Sequence, residues 1–126
     1  MTKRDFAAPK AAPPVGPYSP AIEAGGFVFL SGQIPLDGDG AVVGATATEQ
    51  AKQALENLVA LLKAAGLTTD SVVKTTIFLT DIGDFLEVNE VYAGYFAVPC
   101  PARSTVQVAA LPKGVKVEIE AVAARV

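Results

Sequence analysis

Histidine is absent from this chain of 126 residues. That absence excludes Ser-His-Asp and Cys-His catalysis and every histidine-containing zinc site. Cysteine is nearly absent too. Cys100 stands alone, so no internal disulfide can form and no cysteine-based zinc set exists, which fits a reducing cytoplasm. Proton transfer must then fall to Glu, Asp, Tyr, Lys, a hydroxyl or water. No apolar run is long enough to span a bilayer. Lys3 and Arg4 are not followed by an apolar stretch, so no secretory leader is expected. Basic charge is scarce: ten Lys and Arg face thirteen Asp and Glu, for a net charge of -3. With no Lys/Arg stripe, nucleic acid is not an expected partner.

What is present is apolar. Hydrophobic residues make up 51% and charged residues 18%, the balance of a globular protein on its apolar side. The length suits one domain, residues 1–126, able to bury its own core. The apolar excess points to surface that is buried again in an oligomer.

Residues 7–20 are rich in Ala and Pro and end in Pro13-Pro14-Val15-Gly16-Pro17-Tyr18-Ser19-Pro20. The locked φ angles exclude a helix and predict an extended surface run, with a short edge strand around Asp5-Phe6 before it. Residues 21–24 and 27–31 read as strands joined by Gly25-Gly26, a two-residue hairpin signal. Phe27-Val28-Phe29-Leu30 is apolar on both faces and predicts a central strand. Residues 37–44 read as a loop. Thr46-Ala47-Thr48-Glu49 fits a capping box. Ala47, Ala51, Ala54, Leu55, Leu58, Leu62 and Ala65 then recur at helical spacing, with Gly66 as the C-cap. Residues 71–80 read as a strand. A second helix is expected to start near residues 81–84, carry the stripe Phe85, Val88, Tyr92, Tyr95 and Phe96, and end at Pro99-Cys100-Pro101. Two strands follow, joined by Leu111-Pro112-Lys113-Gly114.

The order β-β-β-α-β-α-β-β predicts an α+β chain: a mixed sheet with two helices on one face. Val72-Val73 and Ile77-Phe78-Leu79 cannot all point toward those helices, so some partner must cover the other face. A symmetric homo-oligomer is the default.

The last two strands carry the chemistry. Pro101-Ala102-Arg103-Ser104-Thr105 and Lys116-Val117-Glu118-Ile119-Glu120-Ala121 both alternate polar and apolar residues. Arg103, Thr105 and Gln107 share one face of the first strand; Lys116, Glu118 and Glu120 share one face of the second. If the strands pair with polar faces together, a guanidinium, a hydroxyl and two carboxylates converge. A carboxylate-binding fork beside a general acid/base suits chemistry on a small organic acid.

Six segments resemble the RidA family of reactive enamine/imine deaminases, also called the YjgF type, in order and at the family's spacing. They are Gly16-Pro17-Tyr18-Ser19-Pro20-Ala21, Ser31-Gly32-Gln33-Ile34-Pro35, Val73-Lys74-Thr75-Thr76, Asp84-Phe85-Leu86-Glu87-Val88-Asn89, Pro101-Ala102-Arg103-Ser104 and Val115-Lys116-Val117-Glu118-Ile119-Glu120-Ala121. The resemblance covers nearly the whole chain. It implies a chorismate-mutase-like fold, a homotrimer whose sheets close into a barrel, and active sites between subunits. It implies hydrolysis of 2-aminoacrylate, 2-aminocrotonate and their imine tautomers to 2-oxo acids and ammonia, with no metal or cofactor. No membrane partner is expected, and the expected location is cytoplasmic.

The same resemblance assigns roles. Arg103 would hold the substrate carboxylate in a bidentate fork, which Lys could not reproduce; the alternative is a surface arginine paired with a Glu. Glu118 would activate the attacking water and protonate the leaving nitrogen. Spacing alone does not choose between Glu118 and Glu120; the family register selects Glu118. Thr105 stands where many members carry cysteine, which argues against a covalent thiol mechanism and leaves a hydroxyl to bind water or the imine nitrogen. Tyr18 would pack on the substrate or serve as an ordinary half-buried aromatic. Ser31 and Gly32, at a strand end, would let a backbone N–H approach the ligand. Asn89 would hydrogen-bond across the cleft or be satisfied by water. The competing readings are a non-catalytic binding, chaperone-like or translation-inhibiting member of the family, and a member dedicated to one catabolic pathway.

Overall fold

The computed structural model describes residues 2–11 and 13–125. The chain order is β1 (Arg4–Phe6), β2 (Ala21–Ala24), β3 (Phe27–Gln33), α1 (Ala47–Ala64), β4 (Val72–Leu79), α2 (Phe85–Ala93), β5 (Ala102–Gln107) and β6 (Val117–Ala124). This is the predicted order, including the short first strand. Residues 13–20 carry no regular structure and are mostly exposed, whereas Ala11 is buried; residue 12 of the Pro-rich run lies outside the described residues.

Gly25 and Gly26 take φ of 61° and 82°, the double positive φ that a tight hairpin requires, and set Ala24 opposite Phe27. Thr46 caps α1 by accepting from the Glu49 N–H at 3.1 Å, and the Glu49 carboxylate accepts from the Thr46 N–H. Such a cap is worth about 1 kcal/mol. Ala65 is the C-cap and Gly66 follows it.

The strands form one sheet in the order β1-β2-β3-β6-β4-β5. The β4–β5 pair is parallel and every other pair is antiparallel. This corrects the pairing of the last two strands. β5 and β6 do not pair; β4 lies between them, because the crossover through α2 lays β5 on the outer edge of β4. The second helix also ends earlier than its prolines suggest. It stops at Ala93, with Gly94 as C-cap, since glycine is a poor helix former. Phe96 lies beyond the helix yet remains buried, its ring 4.5 Å from that of Tyr92.

One face of the sheet is the core. Val28, Leu30, Ile77, Leu79, Val117, Ile119, Ala121 and Ala123 are buried with Leu55, Leu58, Leu61 and Leu62 of α1 and Val88 and Tyr92 of α2. The other face has no covering element among the described residues. There Phe27 and Phe29 are each 46% exposed and Val106 42% exposed. No helix among the described residues is long and apolar enough to cross a membrane.

Candidate active site

Arg103 stands on β5, opposite Thr75 in the parallel register; Thr105 stands opposite Ile77. Thr75 and Ile77 are buried in the core, so Arg103 and Thr105 project to the helix side of the sheet. There the Arg103 guanidinium lies 4.9 Å from the Tyr92 ring centre and 5.6 Å from that of Phe85. Each such contact is worth about 0.5–2 kcal/mol. Among the described residues the one ion pair joins Arg125 to Glu23, so no carboxylate among them occupies the Arg103 fork. The Thr105 hydroxyl is buried without a hydrogen-bond partner among the described residues. An orphan of that kind costs about 1–3 kcal/mol and marks a place that another group completes. Asn89 is half-buried, four residues after Phe85 and three before Tyr92, hence on the same side of α2 as both. Gln107 acts away from this cluster. Its side-chain oxygen accepts from the Ile82 N–H at 2.9 Å and fixes the approach to α2.

Glu118 stands on the other face. Along β6, Val117, Ile119, Ala121 and Ala123 are buried, which turns Glu118 and Glu120 away from the helices. Glu118 is half-buried. Burial pushes its carboxyl above the ordinary range, and the charge of Glu120 pushes it further the same way. The carboxylate rests against Gly32: a Cβ on that residue would meet Glu118 Oε2 at 2.2 Å. Gly32 is thus required for space. A register irregularity between Leu30 and Gln33 shapes this corner of β3. Buried Asn57 of α1 holds the following loop, donating to the Ile34 and Leu36 carbonyls at 3.2 and 2.9 Å.

Ser31 offers its donors to the chain itself. Its N–H donates to the Pro20 carbonyl at 2.8 Å and its hydroxyl to the Ser19 carbonyl at 2.7 Å. It thereby fastens the segment that carries Tyr18, whose hydroxyl accepts weakly from the Val15 N–H at 3.4 Å. Tyr18, Gly32 and Ile34 line a cleft of about 30 Å³, room for about one water molecule.

The candidate residues therefore form two half-sites. Tyr18, Ser31, Gly32 and Glu118 gather around one corner of β3; Arg103, Thr105 and Asn89 gather around α2. The two key charged groups occupy opposite faces of one sheet, so the convergence expected from paired strands does not occur within one chain. A wider groove of about 760 Å³ lies elsewhere, between Pro9 and the Gln53, Glu56 and Lys63 side of α1, and touches none of these residues. Sequence reading missed Phe85 and Tyr92 as the seat of Arg103. Their helical spacing reads equally well as core, and no spacing rule links a helix to an arginine on the following strand.

Comparison with known proteins agrees with the motifs. Residues 9–125 match the family described as Endoribonuclease L-PSP. A RutC family protein, y4sK, of Sinorhizobium fredii is 55% identical over 86% of this chain and 86% of its own length. The human 2-iminobutanoate/2-iminopropanoate deaminase is 48% identical over 98% of this chain and 90% of its own length. Among solved structures, Escherichia coli TdcF with bound serine superposes with a TM-score of 0.92 at 43% identity, covering 98% of this chain and 99% of that one. A match across nearly all the chain, at identities near one half and with the same fold, leaves one assignment: this chain belongs to the Endoribonuclease L-PSP family, the RidA family that its motifs resemble.

Proposed function

We propose that this chain is a single RidA-type domain that hydrolyses 2-imino acids and their 2-enamine tautomers to 2-oxo acids and ammonia. The observation that carries this reading is Arg103: a guanidinium held on two aromatic faces, with no carboxylate of the described residues paired to it. Such a fork is suited to an external carboxylate, which it binds through two parallel hydrogen bonds. The name of the human relative supports the substrate class, and the serine bound to TdcF supports a small amino-acid-like ligand.

In the proposed reaction Arg103 holds the carboxylate and Glu118 accepts a proton from water as the water oxygen attacks the imine carbon. As the C=N bond becomes a C–N single bond, Glu118 passes that proton to the nitrogen, giving a carbinolamine. Glu118 then takes the hydroxyl proton and delivers it to the amine nitrogen as the C=O bond forms, the C–N bond breaks and ammonia leaves. Burial suits Glu118 to both roles, since a raised carboxyl holds and releases a proton nearer to neutrality. The Thr105 hydroxyl and Asn89 would bind the water or the imine nitrogen beside Arg103, and Tyr18 would close the cleft over the substrate. Water and these residues balance every step.

The site requires more than one copy of the chain. The half-sites lie on opposite faces of one sheet. Phe27, Phe29 and Val106, exposed on the open face, support a second copy packed there. The homotrimer with a closed barrel rests on the family resemblance. A reducing, cytoplasmic setting is supported by the single free thiol, Cys100.

A ribonuclease reading comes from the family description. A net charge of -3 and the lack of histidine weigh against it.

The test is a coupled assay in which a threonine dehydratase generates 2-aminocrotonate in place, with semicarbazide competing for the imine. Wild type should speed the appearance of 2-oxobutanoate, and Arg103→Ala should lose that effect while keeping its fold and oligomeric state. Full activity in Arg103→Ala would remove the carboxylate clamp. A well-folded wild type without effect would return the chain to the binding-module reading.

A further inference from the structure

A guanidinium can be oriented in two ways. A neighbouring carboxylate can grip its N–H edges, or aromatic rings can hold its flat face. Only the second leaves the edges open for a substrate. Arg103 is held in the second way, by Tyr92 and Phe85.

Tyr92 is itself fixed in place. Its hydroxyl and the Thr75 hydroxyl share a hydrogen bond of 2.7 Å. Thr75 is fully buried, and it is also the residue opposite Arg103 across the β4–β5 pair. The Tyr92 ring also packs on Phe96. One tyrosine therefore lies under the guanidinium and is bonded to the strand position beside the backbone of that same arginine. Three elements, β4, β5 and α2, meet at this point. A buried Tyr–Thr hydroxyl pair is a specific use of a core position that leucine or phenylalanine could fill.

We propose that Tyr92, anchored by Thr75, is a positioning residue for Arg103, setting the plane in which its fork meets the substrate carboxylate. This rests on the reading of Arg103 as the carboxylate clamp. Removing the ring should loosen the clamp before it touches the chemistry at the imine carbon, so the effect should fall on KM.

The experiment compares Tyr92→Leu, Tyr92→Phe, Thr75→Val and Arg103→Ala in the coupled assay, with thermal melts of each. Tyr92→Leu should raise KM roughly tenfold with kcat within about twofold of wild type. Tyr92→Phe restores the ring without its anchoring bond and should leave KM raised about two- to threefold. Thr75→Val severs the same bond as Tyr92→Phe and should match it, and the double variant should be no worse than either, because both lose one interaction. A purely structural role predicts a lower melting temperature and a smaller active fraction with KM unchanged. Wild-type KM in Tyr92→Leu, beside a raised KM in Arg103→Ala, would overturn the proposal and leave the clamp standing. Wild-type KM in Arg103→Ala would overturn the clamp itself. If Tyr92→Leu fails to fold, Thr75→Val and Tyr92→Phe decide: wild-type KM in both overturns the proposal, and a matched rise supports it.

Discussion

The two half-sites differ in how far one chain completes them. Around Arg103 the chain supplies two aromatic faces, a buried hydroxyl pair and an orphan hydroxyl on Thr105. That half is built on packed elements and backed by the core. Around Glu118 the chain supplies clearance at Gly32 and leaves the carboxylate half-buried on an uncovered face. The cationic half is preorganised within the chain; the acidic half is not, and the proposed second copy would complete it. A binding group gains from rigid support, because geometry decides how well it holds its ligand. A proton-transfer group gains from the change in solvation that closure brings, because its pKa decides how well it works.

The strongest way to break this contrast is to separate the halves onto different chains. Glu118→Gln should lower kcat/KM by about 10²–10⁴-fold, the range for a lost general acid/base. Arg103→Ala should cost roughly 10²–10⁴-fold, from two charge-assisted hydrogen bonds at about 1.5–3 kcal/mol each. Refolding the two variants together should restore activity if each site joins Arg103 of one copy to Glu118 of the next. Recovery should approach about a quarter of the wild-type value, the chance that two randomly drawn neighbours bring the two intact halves in the right order. If both groups came from one chain, the mixture would stay as inactive as its parts.

A smaller change sharpens the acidic half. Gly32→Ala places a methyl 2.2 Å from Glu118 Oε2 and 2.8 Å from its carboxyl carbon. The carboxylate is the flexible end of a side chain, so it can swing aside at little cost to the fold. The expected result is a melting temperature near wild type with kcat/KM down by roughly 10–100-fold, less than the full loss of the group. A large drop in stability with normal specific activity would show that Gly32 serves the backbone and not the carboxylate.

Much of this architecture was legible in the sequence, for reasons that stay local. The capping box at Thr46, the Ala/Leu period of α1, the Gly25-Gly26 hairpin and the alternation of β6 each depend on neighbours a few residues away. Strand adjacency does not. Alternation says that Arg103 and Glu118 lie on strands with a polar face, and it is silent on which strand lies beside which. Two strands consecutive in sequence are a natural pair, yet the α2 crossover inserts β4 between them. Alternation brought Arg103, Thr105 and the Glu118/Glu120 pair forward; the choice of Glu118, and Asn89, came from family register. Tyr92 escaped notice because a buried tyrosine at helical spacing looks the same from sequence whether its ring faces leucine or a guanidinium. The helix end moved for a local reason that was visible: Gly94 precedes the prolines and stops α2 first.

The smallest effect concerns the electrostatics of Glu118 itself. Its carboxyl is raised above 4.5 by burial first and by Glu120 second. The folded chain therefore keeps this proton to a higher pH than the unfolded chain does. The stability this contributes is complete below the unfolded value and is lost as pH rises through the folded value. Glu118→Gln remains neutral throughout, so it should melt with wild type in acid and slightly above it at neutral pH. Solvent screening of a half-exposed group keeps the gap small. In the proposed reaction activity follows the ionised form, because Glu118 accepts the proton of water. The acidic limb of kcat/KM should then lie above the ordinary carboxylate value. Glu120→Gln removes the lesser cause and leaves burial in place, so the limb should move downward without reaching that value. A limb that does not move would assign the whole shift to burial. A limb that moves upward would mean that Glu120 supports the Glu118 charge through a hydrogen-bond network completed by the neighbouring chain, and the acidic half would then be as preorganised in the assembly as the cationic half is in the single chain.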